Sequence, residues 1–207
     1  MTHIRHSEKV FNMNRLLLIL ILTFSFQTLS KADDISDFQI EGISVGDSLL
    51  TYMSASEIKE NYLNQYHNKS KFISINYPNT NSYDSLYIYS KRNDAKYKIY
   101  ALRAMNLIEN KKLCLKNKKE IKKEMKLLFK RATFQEGKRK HYYYKNSTQY
   151  ISQFYYGEDG RFSPGARVEC LIISKKEQEK YNTASTLEVI IQLNAELGRW
   201  LESGDAY

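Results

Sequence analysis

Tyr83-Asp84-Ser85-Leu86-Tyr87-Ile88-Tyr89-Ser90-Lys91 and, beyond Asn93-Asp94, Lys96-Tyr97-Lys98-Ile99-Tyr100-Ala101-Leu102-Arg103-Ala104-Met105 are two runs of alternating side chains. In the first, Leu86 and Ile88 fall on one face, Tyr87 and Tyr89 on the other. In the second, Tyr97, Ile99 and Ala101 alternate with Tyr100 and Leu102. A period of two marks a strand, and rings and β-branched carbons fit a pleated surface. Asn93-Asp94 tolerates the positive φ that a tight turn asks for. Strands joined by so short a turn pair antiparallel, because a parallel pair needs a crossover of roughly a dozen residues. These runs therefore decide for α+β over βαβ.

Upstream, Lys71 to Tyr77 places Ile73, Ile75 and Tyr77 on one face of a further strand. Before it, Ser54-Ala55-Ser56-Glu57 is a capping box: a serine oxygen takes the third amide while Glu57 reaches back. It opens a helix carrying Ile58, Tyr62 and Tyr66. Gly46 to Met53 predicts a shorter helix, and Phe38 to Gly42 a lead-in strand. Downstream the order repeats. Asn117-Lys118-Lys119-Glu120 predicts a second cap, followed by a helix with Ile121, Met125, Leu128, Phe129 and Ala132 in one apolar arc. Strands are expected at Lys140 to Lys145, Gln149 to Tyr156, Ala166 to Ser174 and Thr186 to Leu193. Gly157-Glu158-Asp159-Gly160 and Pro164-Gly165 punctuate them. The expectation is an α+β protein of two helix-then-antiparallel-sheet units in tandem, 33–110 and 111–207.

This rhythm resembles the β-lactamase-inhibitor-protein architecture, and one unit is similar to the small outer-membrane-assembly lipoproteins. Gly42-Ile43-Ser44-Val45-Gly46 is like the entry to their helix. Asp37 to Leu50 also resembles the opening of uncharacterised exported proteins from AT-rich marine bacteria, a likeness that implies no activity. The tandem resemblance implies an inhibitor or assembly factor that works by contact.

The N-terminal stretch supplies an address. Met13-Asn14-Arg15 precedes Leu16-Leu17-Leu18-Ile19-Leu20-Ile21-Leu22-Thr23-Phe24-Ser25-Phe26, and Ser30-Lys31-Ala32 is a small-x-small cleavage site. This reads as a cleaved signal peptide over 1–32, with Met1 and Met13 both available as starts. At 1.5 Å per residue the apolar stretch spans only ~17–21 Å, short of the ~30 Å hydrocarbon core, so no transmembrane anchor is expected. The expected location is periplasmic or secreted. Cys114 and Cys170 are the two cysteines, and an oxidising compartment makes them a disulfide. In the chain-entropy account, closing a loop of about 57 residues contributes roughly 4 kcal/mol.

Gly46-Asp47-Ser48-Leu49 spells the opening block of the GDSL esterases and lipases. That resemblance implies Ser48 as a nucleophile, which needs a histidine base and oxyanion donors. The family's D-x-x-H is missing: Asn64 and Lys138 stand three residues before His67 and His141. Asn93-Asp94 has Lys91 where the G-x-N-D block has glycine. The expectation is therefore no enzyme, with a GDSL-like esterase using Ser48 as the alternative. No H-E-x-x-H, paired C-x-x-C or phosphate loop is present, so no cofactor and no metal are expected.

The chain has 32 Lys/Arg against 23 Asp/Glu, unevenly placed. Lys111 to Lys145 holds 14 basic residues and 3 glutamates. At 100° per residue Lys119, Lys123, Lys126 and Lys130 lie opposite Ile121, Met125 and Leu128, forming a cationic ridge with Lys138-Arg139-Lys140 as its extension. It reads either as a solvated face in a lysine-rich composition or as a site for an anionic surface. Export turns the second reading away from nucleic acid and toward lipid headgroups, envelope polysaccharide or an envelope protein. His141-Tyr142-Tyr143-Tyr144 and Phe154-Tyr155-Tyr156 add aromatic contacts suited to a protein or a sugar. The function expected is that of an exported, non-catalytic binding module.

Overall fold

The computed structural model describes residues 35–63, 70–141 and 143–202. The signal peptide over 1–32 and His67 lie outside the described residues. After a 3-10 turn at Ile35–Asp37 come β1 (Gln39–Ile40) and β2 (Ile43–Ser44), a hairpin turning on Glu41 and Gly42 at φ 54° and 78°. Positive φ at both central residues matches the twist of the flanking strands. Glu41 is held there by its carboxylate, which accepts the amides of Asn81 and Ser82. A 3-10 turn follows at Leu49–Thr51, shorter than the helix expected over 46–53.

α1 (Ala55–Glu60) starts on the expected capping box, with Ser54 accepting from the Glu57 amide and Glu57 reaching back. It ends before Tyr62, which bridges to Ile75 instead of continuing the helical arc. The strands β3 (Phe72–Tyr77), β4 (Ser85–Lys91) and β5 (Ile99–Leu107) follow as an antiparallel meander. α2 (Lys111–Leu128) is capped seven residues before the expected position. Asn110, not Asn117, is its N-cap, accepting from the Leu113 amide. Then come β6 (Thr133–Lys140), β7 (Thr148–Tyr155), β8 (Gly165–Ile172), α3 (Lys175–Tyr181), β9 (Thr186–Gln192) and α4 (Ala195–Glu202).

The strand expected over Lys140 to Lys145 is corrected. The strand lies at Thr133–Lys140, and Tyr143 and Tyr144 sit in the turn after it; Tyr142 lies outside the described residues. His141 Nδ1 accepts the amides of Tyr143 and Tyr144 at 3.1 Å each, which closes the turn against the strand preference of the rings.

One antiparallel sheet of seven strands, in the order β3-β4-β5-β9-β8-β7-β6, joins the two halves. The expected units 33–110 and 111–207 thus share a sheet instead of each carrying one. The reason lies in β9: all seven of its residues are buried, so neither of its edges can face water. β5 satisfies one edge and β8 the other.

One face of the sheet carries the main core. Ile73, Ile75, Leu86, Ile88, Leu102, Val168, Cys170, Leu187, Val189 and Ile191 meet Cys114, Met125 and Phe129 of the α2 region and Ile43, Leu49 and Ile58 of the N-terminal segment. Cys114 and Cys170 stand at disulfide distance, Cα atoms 5.9 Å apart, and pin α2 to β8. On the other face, Leu197 and Leu201 of α4 pack on Phe72, Tyr89 and Ala101. Gly198 lets α4 also approach the 3-10 turn Gly160–Phe162: a Cβ there would lie 2.8 Å from the Phe162 carbonyl oxygen. Among the described residues no helix is long and apolar enough to cross a membrane.

Candidate anion-binding face

α2 is fastened beside β6 by its lysines. Lys118 is buried, and its Nζ lies 2.5 Å from Ser152 Oγ and 3.0 Å from Glu136 Oε1. One turn on, Lys122 pairs with the same carboxylate at 3.0 Å. Another turn on, Lys126 Nζ sits 4.4 Å from the centre of the Phe134 ring. Partial burial would raise the Glu136 pKa, but the hydrogen bonds from Ser152, Lys118 and Lys122 outweigh it and hold the carboxyl down to about 2. Burial pulls the Lys118 ammonium below its ordinary value, and Glu136 opposes that pull. Glu136, the single carboxylate of β6, is therefore paired with two ammonium groups while its side chain stays 44% exposed.

Lys119, Lys123, Lys126 and Lys130 are all exposed. Lys123 pairs with Glu120 one turn away at 3.0 Å, both more than two-fifths exposed, a pair contributing about 0.3–0.5 kcal/mol. Since Lys118, Lys122 and Lys126 point toward β6, helical geometry turns Lys119 and Lys123 about 60–100° from Lys122, onto the adjoining solvent side. Lys130, expected on the helix, lies in the turn after it, because α2 ends at Leu128. The ridge thus flanks the strand. Along β6, Lys138 and Lys140 are exposed, and Arg139 Nε donates to Gln149 at 2.9 Å. A cationic surface runs from the helix to the strand. Its apolar members are Leu127, 64% exposed, and Phe134, 37% exposed.

At the far end of β6, Tyr143, Tyr144 and Tyr181 cluster with ring centres 5.1–5.5 Å apart, and His141 stacks on Tyr144. Sequence reading had placed the tyrosines on a strand. The partner it missed, Tyr181, belongs to α3, whose Ser174-Lys175-Lys176-Glu177 start carries the same S-x-x-E signal as α1.

The opposite face holds charge that the sequence analysis did not single out. Arg103 Nε lies 2.7 Å from Glu188, Arg167 Nε lies 3.3 Å from Glu169, and the two glutamates are cross-strand partners. Both carboxylates are 1% exposed. Burial pushes Glu169 above the usual carboxylate range. Burial acts on Glu188 in the same sense, but Arg103 overcomes it and holds that carboxyl low. Sealed from solvent, this array belongs to the sheet's interior and not to a docking face.

Ser48 caps the 3-10 turn. Its Oγ donates to the Lys96 carbonyl oxygen at 2.6 Å and accepts the Leu50 amide. Both partners are backbone groups and neither is a base. Ser152, which does touch a lysine, is fully buried. Among the described residues no group of three or more His, Cys, Asp or Glu is gathered to hold a metal. A cleft of 220 Å³ beside Tyr62, Arg92 and Tyr97 falls below the ~300 Å³ at which drug-sized sites begin.

No family model matches the chain, and no curated protein or solved structure does so either. The chemistry of the surface is thus the basis for a functional reading.

Proposed function

We propose that this protein is an exported, non-catalytic binding module of the cell envelope, periplasmic or secreted, that offers its α2–β6 face to an anionic partner. One observation carries the reading. Lys119, Lys123, Lys126 and Lys130 are exposed beside the exposed Lys138 and Lys140, while Glu136 is paired with Lys118 and Lys122 and Glu120 with Lys123. A patch of one sign raises the local concentration of anionic groups and speeds their encounter. The disulfide-distance cysteine pair supports an oxidising location.

The test is binding to vesicles containing phosphatidylglycerol and to an acidic polysaccharide over a salt series. Each screened contact steepens the loss of affinity with salt. Lys119, Lys123, Lys126 and Lys130 replaced together by Gln are expected to weaken binding and flatten its salt dependence. Unchanged binding in that variant would reduce the ridge to a solvated helix face.

A further inference from the structure

The two edges of the sheet are finished differently, and the difference concerns what the cationic face receives. His141 donates its amide to the Ser147 carbonyl oxygen, so that opposed pair is hydrogen-bonded. Antiparallel ladders alternate, so Thr133, Gln135, Gly137 and Arg139 turn their backbone groups toward β7. Phe134, Glu136, Lys138 and Lys140 therefore aim their N–H and C=O groups outward. Every residue of β6 except Arg139 is exposed, and among the described residues no strand lies beyond it.

We propose that β6 is a docking edge on which an acidic, extended polypeptide segment pairs as an eighth strand. The inference rests on the anionic partner proposed above and narrows it to a class. Eight residues of strand run ~27 Å, and four of them present outward backbone pairs. A peptide backbone can meet that ladder in register, whereas a lipid headgroup or a sugar chain has no such repeat. The charge around the ladder selects the segment. Lys138 and Lys140 lie on it and Lys126 beside it, so alternate Glu or Asp side chains find cations at strand spacing. Phe134 gives an apolar residue of the segment something to cover.

A second copy of this chain is the competing occupant, and charge disfavours it. Thr133-Phe134-Gln135-Glu136-Gly137-Lys138-Arg139-Lys140 carries three cations and one anion. Edge-to-edge pairing would bring two such strands, and the lysine ridges beside them, against each other. Lysines on an edge strand are a recognised way of discouraging self-association.

The experiment uses a fluorescent ten-residue peptide of alternating Glu and Thr, with amide hydrogen exchange of the intact protein as the structural readout. Saturating peptide is expected to slow exchange at Phe134, Glu136, Lys138 and Lys140, leaving Gln135, Gly137 and Arg139 as they were. Lys138→Gln removes one charge and keeps the N–H; Lys138→Pro removes both. The proline variant is expected to bind about five- to tenfold more weakly than the glutamine variant, the loss of one hydrogen bond in the pairing. Peptide bound with the four amides still exchanging at their free rate would overturn the proposal, whether or not the proline variant folds. Equal binding by the two Lys138 variants would also overturn it. Vesicle binding that depends on the ridge, with no peptide binding, would overturn strand pairing while leaving the anionic-partner reading intact. Failure of peptide and anionic surfaces alike would remove both.

Discussion

The two edge strands of the sheet, β3 and β6, have the same neighbour geometry and opposite treatment. On β3 the outward-facing groups of Ser74 and Asn76 are occupied: Leu63 donates its amide to the Ser74 carbonyl oxygen, and the Asn76 amide donates to Asn61. Lys71 at the head of that strand pairs with Glu196 of α4. On β6 nothing among the described residues takes the equivalent groups. β3 is apolar, with its first four residues buried, whereas β6 is charged and almost wholly exposed. An apolar open edge invites aggregation, so the chain folds back to cover it. A cationic open edge stays soluble by repulsion and remains able to receive a strand of opposite charge.

The largest expected effect tests whether the edges belong to one cooperative sheet. Arg103→Ala leaves Glu188 buried without that partner at the junction of the two halves, a change of about 3–5 kcal/mol. Urea unfolding should show the loss, and hydrogen exchange should show β3 and β6 losing protection together. Protection lost on one side alone would divide the sheet.

Next in size is the staple that holds α2 on β8. Cys114→Ser with Cys170→Ser should lower stability by about 2–4 kcal/mol, read as a thermal midpoint that no longer responds to reductant. A wild-type midpoint indifferent to reductant would mean that the two thiols are not bonded.

The direct comparison of the edges comes third. Leu63→Pro removes the amide that covers β3 and should cost about 1–3 kcal/mol, because a buried carbonyl loses its partner. Lys138→Pro on β6 removes an amide that faces water and should cost within about 0.5 kcal/mol. Equal costs would mean that β6 is covered as β3 is.

The smallest effect is electrostatic. Glu136 has a folded-state pKa of about 2, below the ~4.3 of an unfolded glutamate. The sign follows: its pairing with Lys118 and Lys122 stabilises fully above ~4.3 and is lost as pH falls through about 2. Thermal midpoints of wild type and Glu136→Gln should differ at neutral pH and converge in acid. A gap constant from pH 6 to 2 would remove the carboxylate from the α2–β6 fastening.

How much of this was legible varies by element. β3, β4 and β5 could be read because each buries at least one face, and alternation records it. The Ser54 box was read directly. The identical signal at Ser174 was passed over, because an apolar strand pattern runs into it. β6 left no pattern: with both faces wet, nothing constrains alternate positions, and Gly137 sits mid-strand. Tyr143 and Tyr144 after it fit the strand expectation, yet a single imidazole nitrogen makes them a turn. The lysine ridge was readable as a helix face, but its place beside an open edge was not.

By itself the sequence determined the local matters: which segments alternate, where serine caps a helix, that two cysteines are available to pair, and where positive charge accumulates. These follow from near neighbours along the chain. Tertiary structure alone decided that the two halves share one sheet, that β9 sits at its centre, and that Lys118 and Lys122 turn inward to Glu136 while their neighbours face water. Each of those depends on groups far apart in sequence competing for the same buried hydrogen bonds, and that competition is settled only when the whole sheet closes.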